Sequence, residues 1–252
     1  MSEMSRVKPD PQTAAELAPT GVLRVALNLG NPLLVQKDPI TGHLGGVTID
    51  MSQDIADILG LPVHFNEFDS AGKVSQCAMQ DVWDISFLAI DPKRAVDILY
   101  SEPYVHIEGT YVVKQSSPIQ RLDDVDKPNV RVAVGNGTAY DLFLTRHLEQ
   151  AQIIRFETSE ESLRLFADKG IEVAAGIRQP LEHYAKDNRG YRVLDGYFTL
   201  IKQAVGCPRG RPLAAAFLRR YVDQAKHSGR IAAGFRRSGQ PPLFIPPVQT
   251  TL

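Results

Sequence analysis

Val22-Leu23-Arg24-Val25-Ala26-Leu27 alternates apolar and polar positions and predicts a strand that ends at Asn28. Ahead of it, residues 1–21 mix charge with proline and read as a polar leader. After a Gly-rich turn, Ile49, Met51, Ile55, Ile58 and Leu59 recur at helical spacing, and Gly60 is placed to stop that helix. Leu61 to Phe65 starts another strand, a helix is expected around Lys73 to Gln80, and Trp83 to Ile90 is an apolar run short enough for a buried strand. Strand and helix alternate, the pattern of a parallel sheet covered by helices.

The rhythm restarts after the polar stretch Lys114 to Pro128. Strands are expected at Val130 to Val134, Ile153 to Phe156, Val173 to Ile177 and Arg192 to Leu194, with helices at about Thr138 to Glu149, Glu161 to Ala167 and Leu181 to Lys186. Two β/α series with separate cores imply a cleft between two lobes. Residues 240–252 form a proline-rich tail, expected to be extended rather than helical.

Composition narrows the partners. The 252 residues carry 28 Lys plus Arg against 29 Asp plus Glu, so the basic footprint that neutralises a phosphate backbone is missing and no nucleic acid is expected. Cys77 and Cys207 make neither a disulfide framework nor a CxxC metal pair, although one long-range bridge stays open; no metal and no cofactor is implied. No apolar run approaches the roughly 20 residues of a bilayer crossing, so no membrane insertion is expected. The first 21 residues lack the apolar stretch of a secretory signal. Either a signal was removed or the protein is cytoplasmic.

Two segments carry candidate chemistry on their own residues. In Ile90-Asp91-Pro92-Lys93-Arg94, Asp91 can cap a helix and Pro92 can occupy its first position, which puts Arg94 in the first turn. A cation there opposes the helix dipole by about 0.3–1 kcal/mol, so it hints at an anion nearby; the alternative is a solvated surface arginine. Gly135-Asn136-Gly137-Thr138 lies between a predicted strand and helix, where free amides and a hydroxyl can accept a carboxylate, or it is a tight turn with a cap. With no third glycine and no Gly-Lys-Ser/Thr, a nucleotide loop is excluded. His106 and Glu108 share one face of an extended segment and are the acid/base pair an enzyme reading would use.

Four stretches together resemble the bacterial family 3 solute-binding proteins, the polar amino-acid binders of ABC importers: GGVTIDMSQDIADILG, VWDISFLAIDPKRAVDILYSEPY, VRVAVGNGTAYDLFL and GIEVAAGIRQPLEHY. The resemblance runs from Leu23 to about Gln240. It implies an α/β fold of two β/α lobes joined by a two-strand hinge, the type II periplasmic-binding architecture, with lobes that close on a small solute. Residues 22–113 with 201–239 would form a discontinuous lobe 1 and residues 114–199 lobe 2. The hinge crossings are expected near Tyr111 to Lys114 and Phe198 to Ala204.

By that resemblance Arg94 is a bidentate clamp for a ligand carboxylate, a task for which guanidinium geometry suits better than an ammonium. Thr138, Ala139 and Gly137 would be the lobe 2 contacts. Arg178 stands where the family has an Asp for the ligand's ammonium, and Ala89 where it has a threonine. A cation cannot receive an ammonium, so Arg178 in the cleft favours a ligand with a second anionic group or without an α-amine; otherwise it turns outward and pairs with Glu182. Further ligand-binding candidates are Asn28, Asn31, Lys73, Phe87, Leu88 and Ala89, at or near strand ends where α/β sheets bind ligands, and Glu108, on an extended segment near the expected hinge. The implied function is capture of a small carboxylate-bearing solute for ABC permease subunits, in the periplasm. An enzyme resembling cyclohexadienyl (arogenate or prephenate) dehydratase and a cytoplasmic ligand sensor are the alternatives.

Overall fold

The computed structural model describes residues 9–241 and 243–248. In chain order the first elements are α1 (Pro11–Leu17), β1 (Leu23–Asn28), β2 (Gln36–Lys37), β3 (Leu44–Gly45), α2 (Val47–Leu59), β4 (Val63–Phe68), α3 (Ala71–Gln76) and β5 (Ile85–Ala89). A three-residue 3-10 turn, Arg94–Val96, leads to β6 (Ile98–Tyr100) and β7 (Val105–Lys114). A second such turn, Leu122–Asp124, precedes β8 (Arg131–Gly135), α4 (Ala139–His147), β9 (Gln152–Phe156), α5 (Ser159–Asp168), β10 (Val173–Ile177), α6 (Arg178–Asp187) and β11 (Tyr191–Val193). The chain then runs through β12 (Thr199–Pro208), α7 (Pro212–His227) and α8 (Arg230–Arg237).

Two compact units divide the chain. Within the described residues, unit 1 takes everything up to Asp69, Lys73–Val105, and everything from Lys202 onward; unit 2 takes Ser70–Gly72 and His106–Ile201. Both units are therefore discontinuous, unit 2 through the short segment Ser70–Gly72 alone. The first division, between Val105 and His106, falls earlier in the chain than the Tyr111 to Lys114 crossing expected; the second lies inside the expected Phe198 to Ala204 window.

In unit 1 the strand order is β4-β1-β5-β12, with β6 paired to β12. β1 runs parallel to β4 and β5, and β12 antiparallel to β5. All five residues of β5 are buried, as they must be in a strand flanked on both edges and covered on both faces. α2 buries Val47, Met51, Ile55, Ile58 and Leu59, each worth about 1.5–3 kcal/mol relative to exposure, and ends at Gly60 in the left-handed conformation (φ 70°, ψ 33°). α7 starts with Pro212 at its first position and buries Ala214, Leu218, Tyr221, Val222 and Ala225.

The polar leader needs correcting. Asp10 caps α1 by accepting from the amides of Gln12 and Thr13 at 3.0 and 2.9 Å, and α1 buries Thr13 and Leu17 and packs on α7. The helix is short, so its place is set by docking and capping more than by propensity. Residues 1–8 of that stretch, and Pro242 and residues 249–252 of the tail, lie outside the described residues. Around them Pro241 and residues 243–248 form no helix, and Phe244 is a single β-bridge residue.

In unit 2 the order is β7-β10-β8-β9, with β11 on β7. β8, β9 and β10 are mutually parallel and β7 runs antiparallel to β10, Gly109 opposite Ile177. Its core gathers Val112, Ala133, Phe166, Ile171, Ala174 and Leu181, with Tyr184 and Tyr191 packed against it. α3 stops at Gln76, short of the expected Gln80, and α6 starts three residues earlier than expected, at Arg178.

Candidate functional site

In each unit the parallel strands end on one common edge. In unit 1 the register aligns Asn28 with Phe68 and Ala26 with Ser86, so the segments leaving β1, β4 and β5 depart together. That edge carries Asn28, Asn31, Lys73 and the turn that holds Arg94.

Arg94 is buried, with 4% of its surface exposed. The expected α-helical first turn is not there: the segment is the 3-10 turn Arg94–Val96, because Asp97 leads straight into β6. Three residues give no sizeable dipole, so the dipole argument for a nearby anion falls. A different geometry fixes the side chain. Asp91 Oδ1 accepts from the Lys93 amide at 2.9 Å, the Ala95 amide donates to the Asp91 carbonyl at 2.9 Å, and Arg94 Nη1 donates back to the Ala89 carbonyl at 3.1 Å. Burial pushes the Arg94 guanidinium below its ordinary value, with Tyr100 and Asp91 opposing the shift. Burial raises the Tyr100 phenol in turn, and the charge on Arg94 pulls it back.

The other unit 1 candidates are mostly structural in their contacts. Asn28 Oδ1 accepts from the Gly30 amide at 3.2 Å and Asn31 Oδ1 from the Leu33 amide at 3.3 Å, local turns that shape the loop after β1. Lys73 Nζ meets Asp69 Oδ2 at 2.6 Å on the surface. Phe87, Leu88 and Ala89 are buried in β5; Phe87 meets Tyr104 edge to face at 6.1 Å, and Ala89 contributes the carbonyl that holds Arg94.

In unit 2 the Gly135–Thr138 turn joins β8 to α4, and Gly137 takes φ +69°, a conformation open to glycine at no steric cost. The free amides and hydroxyl expected there are in part already engaged. Asp141 Oδ2 accepts from the Gly137 amide at 2.8 Å, while Thr138 Oγ1 donates to the Gly135 carbonyl at 2.9 Å and accepts from the Asp141 amide at 3.2 Å. Ala139 opens α4. Asp141 is buried and also bonds Arg155 Nε through Oδ1 at 3.0 Å. The sequence reading missed Asp141, though Thr138 followed three residues later by an acid is a capping-box signal.

Arg178 is not an isolated cation. Its Nε donates to Glu108, its Nη2 to the Gly196 carbonyl, and its Nη1 to Glu182 Oε1 at 3.5 Å. The outward pairing with Glu182 is thus one of three contacts, and the expectation of an uncompensated second guanidinium is corrected. Antiparallel pairing of β7 with β10, across 70 residues of chain, brings Glu108 beside Arg178; no local pattern announces it.

Away from these edges, Arg24 Nε and its backbone amide both donate to Asp84 Oδ2 at 3.0 Å, and Arg211 Nη1 reaches Asp84 Oδ1 at 2.8 Å. Among the described residues, no group of three or more His, Cys, Asp and Glu side chains is placed to hold a metal ion, and no helix is long and apolar enough to cross a membrane.

Comparison with known proteins places this geometry in a group. A model of the bacterial extracellular solute-binding proteins, family 3, matches residues 23–238. The ABC transporter glutamine-binding protein GlnH of Bacillus subtilis (strain 168) is 22% identical over 198 residues, 77% of this chain and 72% of that one. The solute receptor for L-cysteine of Neisseria gonorrhoeae superposes with a TM-score of 0.77 at 20% identity, covering 89% of this chain and 92% of that structure. An ancestral amino-acid-binding protein, AncCDT-1, described as a precursor of cyclohexadienyl dehydratase, superposes with a TM-score of 0.74 at 24% identity, covering 89% and 98%. The fold is that of the type II periplasmic amino-acid-binding proteins.

Proposed function

Because this chain belongs to the bacterial extracellular solute-binding proteins, family 3, we propose that it binds a small amino-acid-like carboxylate outside the cytoplasm and delivers it to an ABC importer. Arg94 is the observation that carries the reading. A guanidinium offers five N–H donors in a planar fork, and Nη1 uses one on the Ala89 carbonyl. That fork matches a carboxylate, and desolvation at the carboxyl edge of β5 strengthens a charge-assisted hydrogen bond made there. The names of the relatives, binders of glutamine and cysteine, set the size of solute to try first.

The test is a thermal-shift screen of the standard amino acids and small organic acids, with calorimetric titration of the hits on the wild type and on Arg94→Ala and Arg94→Lys. At least one carboxylate is expected to raise Tm, by about 2.7 kcal/mol of added stability at 100 times its Kd. Arg94→Ala should lose nearly all affinity, and Arg94→Lys should recover a fraction. Unchanged affinity in Arg94→Ala removes the clamp. NMR of the solute after incubation should show it unaltered; conversion would make the protein an enzyme. Cells lacking the gene should take up the labelled solute more slowly, and equal uptake would sever binding from import.

A further inference from the structure

The turn that presents Arg94 has only three residues, and a helical turn leaves its last carbonyls without partners inside it. A side chain from a distant part of unit 1 supplies them. Arg209, in the exposed link between β12 and α7, donates through Nε to the Val96 carbonyl and through Nη2 to the Ala95 carbonyl, 113 and 114 residues back along the chain. Its backbone amide donates to the Asp97 carbonyl at 2.7 Å. Arg209 thus engages the three consecutive carbonyls that follow Arg94. The pairing of β6 with β12 aims it there: Pro208 lies opposite Ile98, so the residue after β12 meets the residue before β6.

Two anchors therefore bracket Arg94. Asp91 holds the segment before it through its side chain and its carbonyl, and Arg209 holds the segment after it. Between them the Arg94 side chain is buried, with Nη1 tied to the Ala89 carbonyl. Val96, by contrast, is 63% exposed, so apolar packing does little to pin the far end of the turn. A planar guanidinium reaches two neighbouring carbonyls at once, which the point charge of an ammonium does not. We infer that Arg209 is the positioning residue for Arg94: through the backbone of residues 95–97 it sets where the Arg94 guanidinium sits, and so how well a solute carboxylate is gripped. The inference lies wholly within unit 1; it rests on the carboxylate-clamp reading above and deepens it.

The experiment compares wild type, Arg209→Ala and Arg209→Lys, with Arg230→Ala as the control for losing a surface arginine of the same unit, one paired to Asp54. In protein without solute, NMR hydrogen exchange is read at the Arg94 Nε–H, assigned by its disappearance in Arg94→Lys, and at the Ala95 and Asp97 amides, which bond the Asp91 and Arg94 carbonyls. Urea unfolding gives the stability of each variant. Arg209→Ala should speed exchange at these protons about tenfold, beyond what any fall in global stability accounts for. Calorimetric titration with each standard amino acid then reads the clamp. For the one that wild type binds most tightly, Arg209→Ala should raise Kd about tenfold and Arg209→Lys about threefold, since an ammonium recovers part of the contact. Arg230→Ala should move neither readout. Exchange at Arg94 that is unaltered in Arg209→Ala, or that rises no more than global unfolding does, makes Arg209 merely structural and overturns the inference. A Kd unmoved in Arg209→Ala overturns it too and leaves the clamp standing. If no amino acid binds wild type, the solute-binding reading fails and the inference falls with it.

Discussion

Arg24 in unit 1 and Arg131 in unit 2 make the same joint in two settings. Each opens or nearly opens the first parallel strand of its unit, and each gives its backbone amide and its Nε to one carboxylate oxygen just ahead of a neighbouring strand of the same sheet. For Arg24 the acceptor is Asp84, next to β5, at 3.0 Å for both bonds; for Arg131 it is Glu172, next to β10, at 2.9 and 3.0 Å. Burial separates them. The Asp84 side chain is fully buried and also receives Arg211, whereas Glu172 is 35% exposed and Arg131 37%. Identical wiring therefore differs in weight, because water screens one pair and not the other.

The carboxyl edges repeat the contrast. Arg94 in unit 1 is desolvated and fixed by a backbone carbonyl, while Arg178 in unit 2 is more open and compensated by Glu108 and Glu182. A guanidinium of the first kind is the one we propose as the carboxylate clamp. One of the second kind holds protein acids in place.

Substitutions can sharpen or break these contrasts. The largest effect is expected from Asp84→Asn, which strips the charge from a buried acceptor of two arginines and should cost about 3–5 kcal/mol in urea unfolding; a loss below about 1 kcal/mol would show that Asp81 takes over both cations. Next comes the binding difference between the edges. Truncating Arg94 to Ala should weaken the solute by about 2–5 kcal/mol, roughly thirtyfold or more, and truncating Arg178 by well under that. Equal losses would end the distinction between the two arginines.

Asp141→Ala should follow, at about 1–2 kcal/mol of stability, since it removes the cap contact to the Gly137 amide and a partner of Arg155. Hydrogen exchange at residues 137–141 should rise in that variant; unaltered protection there would place the cost elsewhere. The smallest effect is expected from Glu172→Gln, about 0.2–1 kcal/mol in unfolding at neutral pH. Its signature is in pH. The side-chain hydrogen bond from Arg131 holds the Glu172 carboxyl below the ordinary glutamate value. The pair's contribution is therefore complete above that ordinary value and is lost as pH falls through the lowered one. Wild type should lose more stability than Glu172→Gln over that acid window, and parallel curves would refute the linkage.

Much of the architecture was legible along the chain because it is written in local periodicity. β10 was placed residue for residue, and β1, β8 and β9 to within a position or so at either end, since apolar runs bounded by turn residues define a buried strand whatever surrounds them. α1 was not, because Pro11–Leu17 has too few residues for its own periodicity to declare a helix, and what stabilises it is the Asp10 cap and docking on α7, near two hundred positions away. The Arg94 segment was misread for a related reason: Asp91-Pro92 is a genuine helix-start signal, but strand β6 begins only four residues beyond Arg94 and leaves no room for an α-helix.

What the sequence by itself determined is the alternation of strands and helices, the family, and the residue types offered at the strand ends. What only the tertiary structure decided is the charge state of the neighbourhood around each of those residues. Arg178 is the instructive case: its identity was plain, but its partners Glu108 and Gly196 are 70 and 18 residues away, and strand pairing alone brings them within hydrogen-bonding distance. Coulomb and hydrogen-bond energies depend on separation in space and on burial, neither of which periodicity encodes, so a side chain's chemistry can be named from the chain while the electrostatic role it plays waits for the fold.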